Sequence, residues 1–291
     1  MKPNQLLVGL LSNRKARLGF PGTFLKQKNP HIMGVLNVTP DSFSDGGEFA
    51  VVNAAVEQAE LMIGAGASII DVGGESTRPN ATAVSIEEEL SRVIPVIEGI
   101  RSASDVQISI DTSKPEVMKF AISAGANIIN DVYALRQPGS LEMAASLGVP
   151  VCLMHMQDKP ETMQDKPCYA NVVEEVNDFF IQRIKACEAV GIAKENIILD
   201  PGFGFGKTLQ HNLSLLAHLD SFNSHGCPIL AGLSRKSMLG EILNKSVDQR
   251  VIGSVLAALM AVMNGASIVR VHDVAQTSDA LKIYNAVQSA N

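Results

Sequence analysis

Asp71, Asp111, Asn130 and Asp200 each stand where a short apolar run of this chain ends. A deprotonated carboxylate accepts two parallel hydrogen bonds, which suits the N–H pair of an amidine or a 2-aminopyrimidine edge, and asparagine adds one donor and one acceptor. The same residues could instead cap following helices or hold a divalent cation. For Asp111 the capping alternative is a real competitor, because Thr112, Ser113 and Pro115 already read as a helix start. The carboxylates are spread over separate runs, so a Mg²⁺ shared with substrate phosphates fits better than a permanent all-protein metal site.

A second group is basic. Arg270 and His272 are two apart on a run of strand character, so their side chains share one face. An unpaired arginine on a buried strand is costly and must have an anion or an acidic partner. Ser234, Arg235 and Lys236 end the preceding run, and together these residues form a basic corner for an anionic ligand group. Between the two groups lies the glycine-rich PGFGFGKT at 201–208. Pro201 excludes a phosphate-cradling P-loop and Lys207 excludes a dinucleotide fingerprint. What survives is a close-approach loop with Phe203 and Phe205 available to face a flat ligand, or else a tight turn whose phenylalanines cover the core. His155 alternates with Met154 and Met156, so the three cannot all face one interior. Met154 suits either packing or an apolar floor under a planar ring. No Ser-His-Asp or Cys-His arrangement is evident, and covalent catalysis has no strong candidate.

The elements that must position these residues are eight apolar runs whose polar ends are always C-terminal: GVLNVTPDS, IIDVGGEST, ISIDTSKP, IINDV, VCLMHMQ, IILDPGFGFGK, ILAGLSRKS and IVRVHD. Strands buried on both faces read as continuous apolar runs, with polar residues where the strand reaches solvent. Strands are expected near 31–36, 68–72, 106–111, 127–131, 149–155, 196–200, 228–233 and 267–272. Helices are expected at Val51–Gly64, Ile86–Ile100, Pro115–Ala124, Leu141–Leu147, Val172–Val190, Leu213–Leu219, Arg250–Met263 and Gln276–Val287. Three helix-to-strand joints, AGASII at 65–70, AGANII at 124–129 and NGASIV at 264–269, repeat one phrase in which glycine suits a left-handed helix cap. Eight β-α units favour a single closed (β/α)8 TIM barrel, with its chemistry in the loops at the strand C-termini.

A chain of 291 residues with 46% hydrophobic content fits one such barrel plus loop insertions. The longest apolar candidate for a membrane span, Val251 to Met263, is broken by Gly253 and Ser254, and LLVGLL near the N-terminus is too short for a signal-peptide core. Cys152, Cys168, Cys187 and Cys227 show no paired spacing and read as reduced thiols of a cytoplasmic protein. A net charge of −6 gives a nucleic-acid partner no electrostatic support.

The strand-end phrases match a known pattern. MGVLNVTPDSFSDGG at 33–47, DVGGESTRP at 71–79, IDTSKPEV at 110–117, INDV at 129–132, MHMQ with its following TMQ, DPGFGFGK at 200–207, GLSRKS at 232–237 and RVHDV at 270–274 closely resemble the dihydropteroate synthase family. The resemblance covers every strand from about Ile32 onward. Residues 1–30 fall outside it as an N-terminal extension, leaving 31–291 as the pterin-binding catalytic domain.

The resemblance implies a transferase of folate synthesis and a target of sulfonamides. Such an enzyme condenses 6-hydroxymethyl-7,8-dihydropterin pyrophosphate with 4-aminobenzoate, giving 7,8-dihydropteroate and pyrophosphate. Carried onto matching positions, Asp111, Asn130, Asp200 and Lys236 look like the pterin-binding set, Asn37 like the Mg²⁺ ligand, and Arg78, Arg270 and His272 like the pyrophosphate contacts. Thr77, Pro79, Phe205 and Ser234 resemble the residues around the aminobenzoate, with Met154 under the ring. Asn80 and Asp158 stand where the family commonly has glycine. A dissociative loss of pyrophosphate is expected, with Arg78, Arg270, His272 and Mg²⁺ stabilising the leaving group and the loops after strands 1 and 2 closing over it. The rivals are a pterin-binding methyltransferase domain and a relative that binds pterin without synthase activity. The apolar helix 251–263 and the resemblance together lead to an expected homodimer.

Overall fold

The computed structural model describes residues 29–39, 48–76, 84–158 and 162–290. Eight parallel strands alternate with helices: β1 (His31–Asn37), α1 (Glu48–Ala65), β2 (Ile69–Gly73), α2 (Ile86–Ala103), β3 (Gln107–Asp111), α3 (Pro115–Ala124), β4 (Ile128–Asp131), α4 (Ser140–Leu147) and β5 (Val151–Met154). There follow α5 (Val172–Ala189), β6 (Ile197–Asp200), α6 (Leu209–Ala217), β7 (Leu230–Ala231), α7 (Ser237–Leu243), α8 (Val251–Met263), β8 (Ile268–Val271) and α9 (Val274–Ser289). The hydrogen-bonded order is β6-β5-β4-β3-β2-β1-β8-β7. A parallel bridge between Leu199 and Ile229 brings the two outer strands together, so the sheet curls into the expected barrel.

The alternation of strand side chains builds both cores. Met33, Ile69, Ile128, Cys152, Ile198, Leu230 and Ile268 fill the barrel interior. Their neighbours Ile70, Ile108, Ile129, Val151, Ile197, Ile229 and Val269 point outward and join the larger core under the helices. Two residues further along four of these inward faces, the interior changes character: Ile69 is followed by Asp71, Ile128 by Asn130, Ile198 by Asp200 and Ile268 by Arg270. One inward step therefore separates a dry plug from a polar floor, always on the C-terminal side.

The three repeated joints are one structure. Gly66, Gly125 and Gly265 have φ of 112°, 124° and 97°. In each joint the next amide reaches back five residues: Ala67 N to Met62 O at 2.9 Å, Ala126 N to Ala121 O at 3.0 Å and Ala266 N to Ala261 O at 2.9 Å. The following residue then bonds the neighbouring strand, at Ile32, Ile108 and Ile229 respectively. This glycine cap both ends the helix and sets the register of the next strand.

Three elements differ from the sequence expectation. The helix expected at Leu213–Leu219 starts at Leu209, because Thr208 accepts from His211 N at 3.2 Å while His211 Nδ1 accepts from Thr208 N at 3.2 Å. A histidine replaces the usual Glu or Gln of a capping box. Strand β7 has two residues rather than six. The seven-residue α7, with Gly240 inside it, is additional, being too short and too glycine-interrupted to present a helical period. No helix among the described residues is long and apolar enough to cross a membrane.

Candidate active site

The polar floor is organised around Arg270. Its Nε donates to Asp71 Oδ2 at 2.6 Å and its Nη2 to Asp111 Oδ2 at 2.7 Å. Asn130 Nδ2 lies 3.2 Å and 3.4 Å from the two oxygens of the fully buried Asp71. Arg270 is thus the shared partner of two carboxylates, satisfying the requirement that a buried arginine find an acid. Burial works against its charge, but Asp71 and Asp111 outweigh burial and hold its proton above the usual arginine range. Burial likewise pushes the Asp111 carboxyl up, with Arg270 pulling it back.

Asp200 belongs to the next sector. Its Oδ1 accepts from Gly202 N at 2.7 Å, and burial raises its pKa against Lys236, the Gly202 amide, Arg270 and Lys207. The Lys236 ammonium donates to Phe203 O and lies 4.4 Å from the centroid of the Phe205 ring, a cation–π distance. Burial brings its pKa down to about 8, with Asp200 opposing the shift. On the far side, Ser234 Oγ accepts from His272 N at 3.2 Å and lies 3.0 Å from His272 Nδ1. Met154 is buried in a small apolar cluster with Val132, Met156 and Met163, against which Tyr133 and Phe205 pack.

Most of the expected residues therefore meet at one mouth: Asp111, Asn130, Met154, Asp200, Phe205, Ser234, Lys236, Arg270 and His272. Asn37, at the end of β1, joins them across Gly73, where a Cβ would stand 3.8 Å from both Asn37 Oδ1 and Asp111 Oδ2. The two oxygens flank the space that glycine leaves open. Thr77, Arg78, Pro79 and Asn80 lie outside the described residues, as do most of the loop after β1 and residues 1–28.

Three features depart from the sequence reading. Arg235 leaves the basic corner and pairs with Asp273, through Nη2 at 2.5 Å and Nε at 3.1 Å, because its backbone at φ 58° carries the side chain toward α9. Phe203 is wholly buried in the outer core, so Phe205 alone of the pair stands at the mouth. The rival reading of Asp111 as a helix cap is not met: α3 has no side-chain cap at its N-cap Lys114, and Asp111 Oδ2 accepts from Arg270. The expected split between an acidic and a basic side also gives way, since Arg270 sits among the carboxylates. The centre of the floor, Asp71, was legible as a strand-end acid. Its pairing with Arg270, 199 residues away, carried no local signal.

Around the mouth, Lys114 Nζ bridges Glu75 Oε2 and the buried Glu89 Oε2, both at 2.6 Å, and Glu75 Oε1 accepts from Val84 N at 2.9 Å. This ties β2, α2 and α3 together beside the floor. Asp158 has φ of 60°, a left-handed backbone conformation that glycine adopts more readily.

The pterin binding enzyme family matches residues 33–272. Dihydropteroate synthase of Escherichia coli (strain K12) is 57% identical over 269 residues, covering 92% of this chain and 95% of that protein. The chain belongs to the dihydropteroate synthase family. Among solved members of the family, the Yersinia pestis enzyme with a sulfonamide drug complex superposes with a TM-score of 0.86 at 52% identity, covering 91% of this chain and 96% of that one. The Xanthomonas albilineans synthase in complex with 7,8-dihydropteroate superposes at 0.83 with 50% identity, covering 90% of this chain and 95% of that one. Membership in the synthase family covers the whole barrel, every polar strand end included.

Proposed function

We propose that this protein is a dihydropteroate synthase. It condenses 6-hydroxymethyl-7,8-dihydropterin pyrophosphate with 4-aminobenzoate to give 7,8-dihydropteroate and pyrophosphate. The observation that carries the reading is the floor of Asp71, Asp111, Asn130, Asp200, Lys236 and Arg270, in a chain half identical to a synthase solved with 7,8-dihydropteroate. Carboxylate and amide edges suit the N–H pairs of a pterin, and Lys236 with Asn130 suits its carbonyl and ring nitrogens.

In this reading the carbon–oxygen bond to pyrophosphate breaks first, and the leaving group takes the electron pair. Arg270 has two donor nitrogens on Asp71 and Asp111, and its Nη1 remains to meet the departing anion with His272 and Arg78. Charge that appears on pyrophosphate is stabilised more in the transition state than in the bound substrate. The cation left on the pterin lies above Asp111 and Asp200. The arylamine then forms the carbon–nitrogen bond and loses its proton to released pyrophosphate or water, so no dedicated base is needed. Asn37 offers one neutral oxygen beside Asp111, and no group of three acidic, His or Cys side chains able to hold a metal occurs among the described residues. That donor set fits a Mg²⁺ carried largely by the substrate's phosphates, with Asn37 as its protein ligand. When bound, Mg²⁺ would neutralise charge on the pyrophosphate.

Two further parts of the reading concern assembly and place. A homodimer is supported by the stripe Ile252, Leu256, Met260 and Met263 on α8, exposed by 52–70%, and by exposed Ile283 and Val287 on α9, the helix packed against it. An exposed apolar stripe along three turns of one helix is unusual on a monomer. A cytoplasmic setting is supported by four free cysteines.

A coupled pyrophosphate assay tests the function. Release that requires both the pterin pyrophosphate and 4-aminobenzoate is expected. A methyltransferase domain would release none, and an inactive relative would bind the pterin without turnover.

A further inference from the structure

The glycine-rich loop after β6 is held in an unusual way. Gly202, Gly204 and Gly206 have φ of 68°, 78° and 61°, and the alternation turns successive carbonyls to opposite sides. Each carbonyl from Gly202 to Gly206 accepts from a side chain. Lys207 Nζ takes Gly202 O at 3.0 Å and Phe205 O at 2.9 Å, and Lys236 takes Phe203 O. Gln164 Nε2 takes Gly204 O at 2.6 Å, and Tyr169 Oη takes Gly206 O at 2.8 Å.

Lys207 is the back of this clamp. It is 4% exposed, and its remaining neighbours are His155 Nδ1 at 3.0 Å and His155 O at 3.3 Å. Burial, with Lys207 and Arg136 adding to it, brings the His155 imidazole down to about 2, so the ring is neutral and Nδ1 can accept. Among the described residues, no carboxylate is bonded to Lys207. An amine so placed, with several acceptors converging on it, orders backbone rather than pairing charge.

We propose that Lys207 is a positioning residue for the pterin end of the reaction. From behind the loop it fixes the carbonyls of Gly202 and Phe205, and so sets where Asp200, Phe205 and Lys236 stand. Asp200 is bonded to Gly202 N, and Lys236 to Phe203 O. A shift of the loop therefore moves two pterin-facing groups directly. The inference rests on the synthase reading and goes beyond it, because Lys207 itself faces away from the mouth.

Steady-state kinetics on full-length Lys207→Met, Lys207→Arg, Tyr169→Phe and Gln164→Ala enzymes test it. Lys207→Met is expected to raise the KM for pterin pyrophosphate on the order of tenfold, with a smaller change for 4-aminobenzoate. Lys207→Arg is expected to recover part of that loss. Tyr169→Phe and Gln164→Ala each remove one carbonyl bond from partly or fully exposed positions and are expected to raise the same KM about two- to fivefold. A residue that only holds the protein folded would lower the active fraction and leave both KM values unchanged, and that result in Lys207→Met overturns the proposal. If Lys207→Met does not fold, unchanged pterin KM in both Tyr169→Phe and Gln164→Ala overturns it equally. Wild-type turnover in the same assay keeps the two readings apart: an inactive wild type refutes the synthase function, whereas an active one with indifferent variants refutes only the clamp.

Discussion

Arg270 lies between two carboxylates, one fully buried, and its removal leaves both without a cation. Breaking a buried pair from one side costs about 3 kcal/mol or more. Arg270→Met is therefore expected to lower Tm on the order of 10 °C and to lose turnover, as thermal unfolding and the pyrophosphate assay would read. Acidification should restore part of the lost Tm by protonating Asp111, whose carboxyl burial already pushes up. Lys236 gives a pH prediction of known sign. Burial lowers its pKa from 10.5 to about 8, so its cation is present at pH 7 and is lost as pH rises through about 8. The kcat/KM for pterin pyrophosphate should fall above that pH, and Lys236→Met should be weak at every pH and lack that limb. The unfolded chain holds this proton more tightly, so between pH about 8 and 10.5 this group adds stability as pH rises. A falling kcat/KM with an undiminished Tm thus marks the site. At this scale the sequence showed which residues are polar at strand ends. The two-to-one pairing of Arg270 and the departure of Arg235 to Asp273 depended on contacts that residue type does not encode.

At the level of elements, the glycine loop after β6 and the helix-to-strand joints depend on glycines with positive φ. A Cβ on Gly202 would collide with the His155 carbonyl, and its φ of 68° is one that L-residues rarely adopt. Gly202→Ala is expected to destabilise by roughly 3 kcal/mol, measurable by urea unfolding, and to raise the KM for the pterin. Gly148 has a similar φ of 64° but nothing within 4 Å of its Cβ position, so Gly148→Ala should cost only about 1 kcal/mol. The contrast separates backbone strain from collision. The repeated helix-to-strand joints were readable because one glycine in a recurring phrase dictates one cap. Helix α7 and the early start of α6 were not, since a seven-residue helix has no period and the cap of α6 uses a histidine side chain.

For the whole molecule, the proposed dimer makes its own prediction. Helix α8 buries Ser254, Ala257, Ala258, Ala261 and Val262 and leaves Ile252, Leu256, Met260 and Met263 outward. Leu256→Asp should convert a dimeric mass into a monomeric one by light scattering at micromolar protein, with the barrel still folded because the side chain touches no core. The barrel itself was determined by sequence. Eight doubly buried strands must be apolar along their length, their polar residues can lie only where the strand meets solvent, and right-handed β-α repetition puts all those ends on one face. Which of the polar ends share a cation or a loop carbonyl was decided by the order and curvature of the sheet, in which β1 lies between β2 and β8. This arrangement brings residues 199 positions apart, Asp71 and Arg270, to 2.6 Å, and it buries Lys207 behind the very loop it orders. Hydrogen bonds act over about 3 Å and in a fixed direction, so no local pattern of residue types could anticipate them.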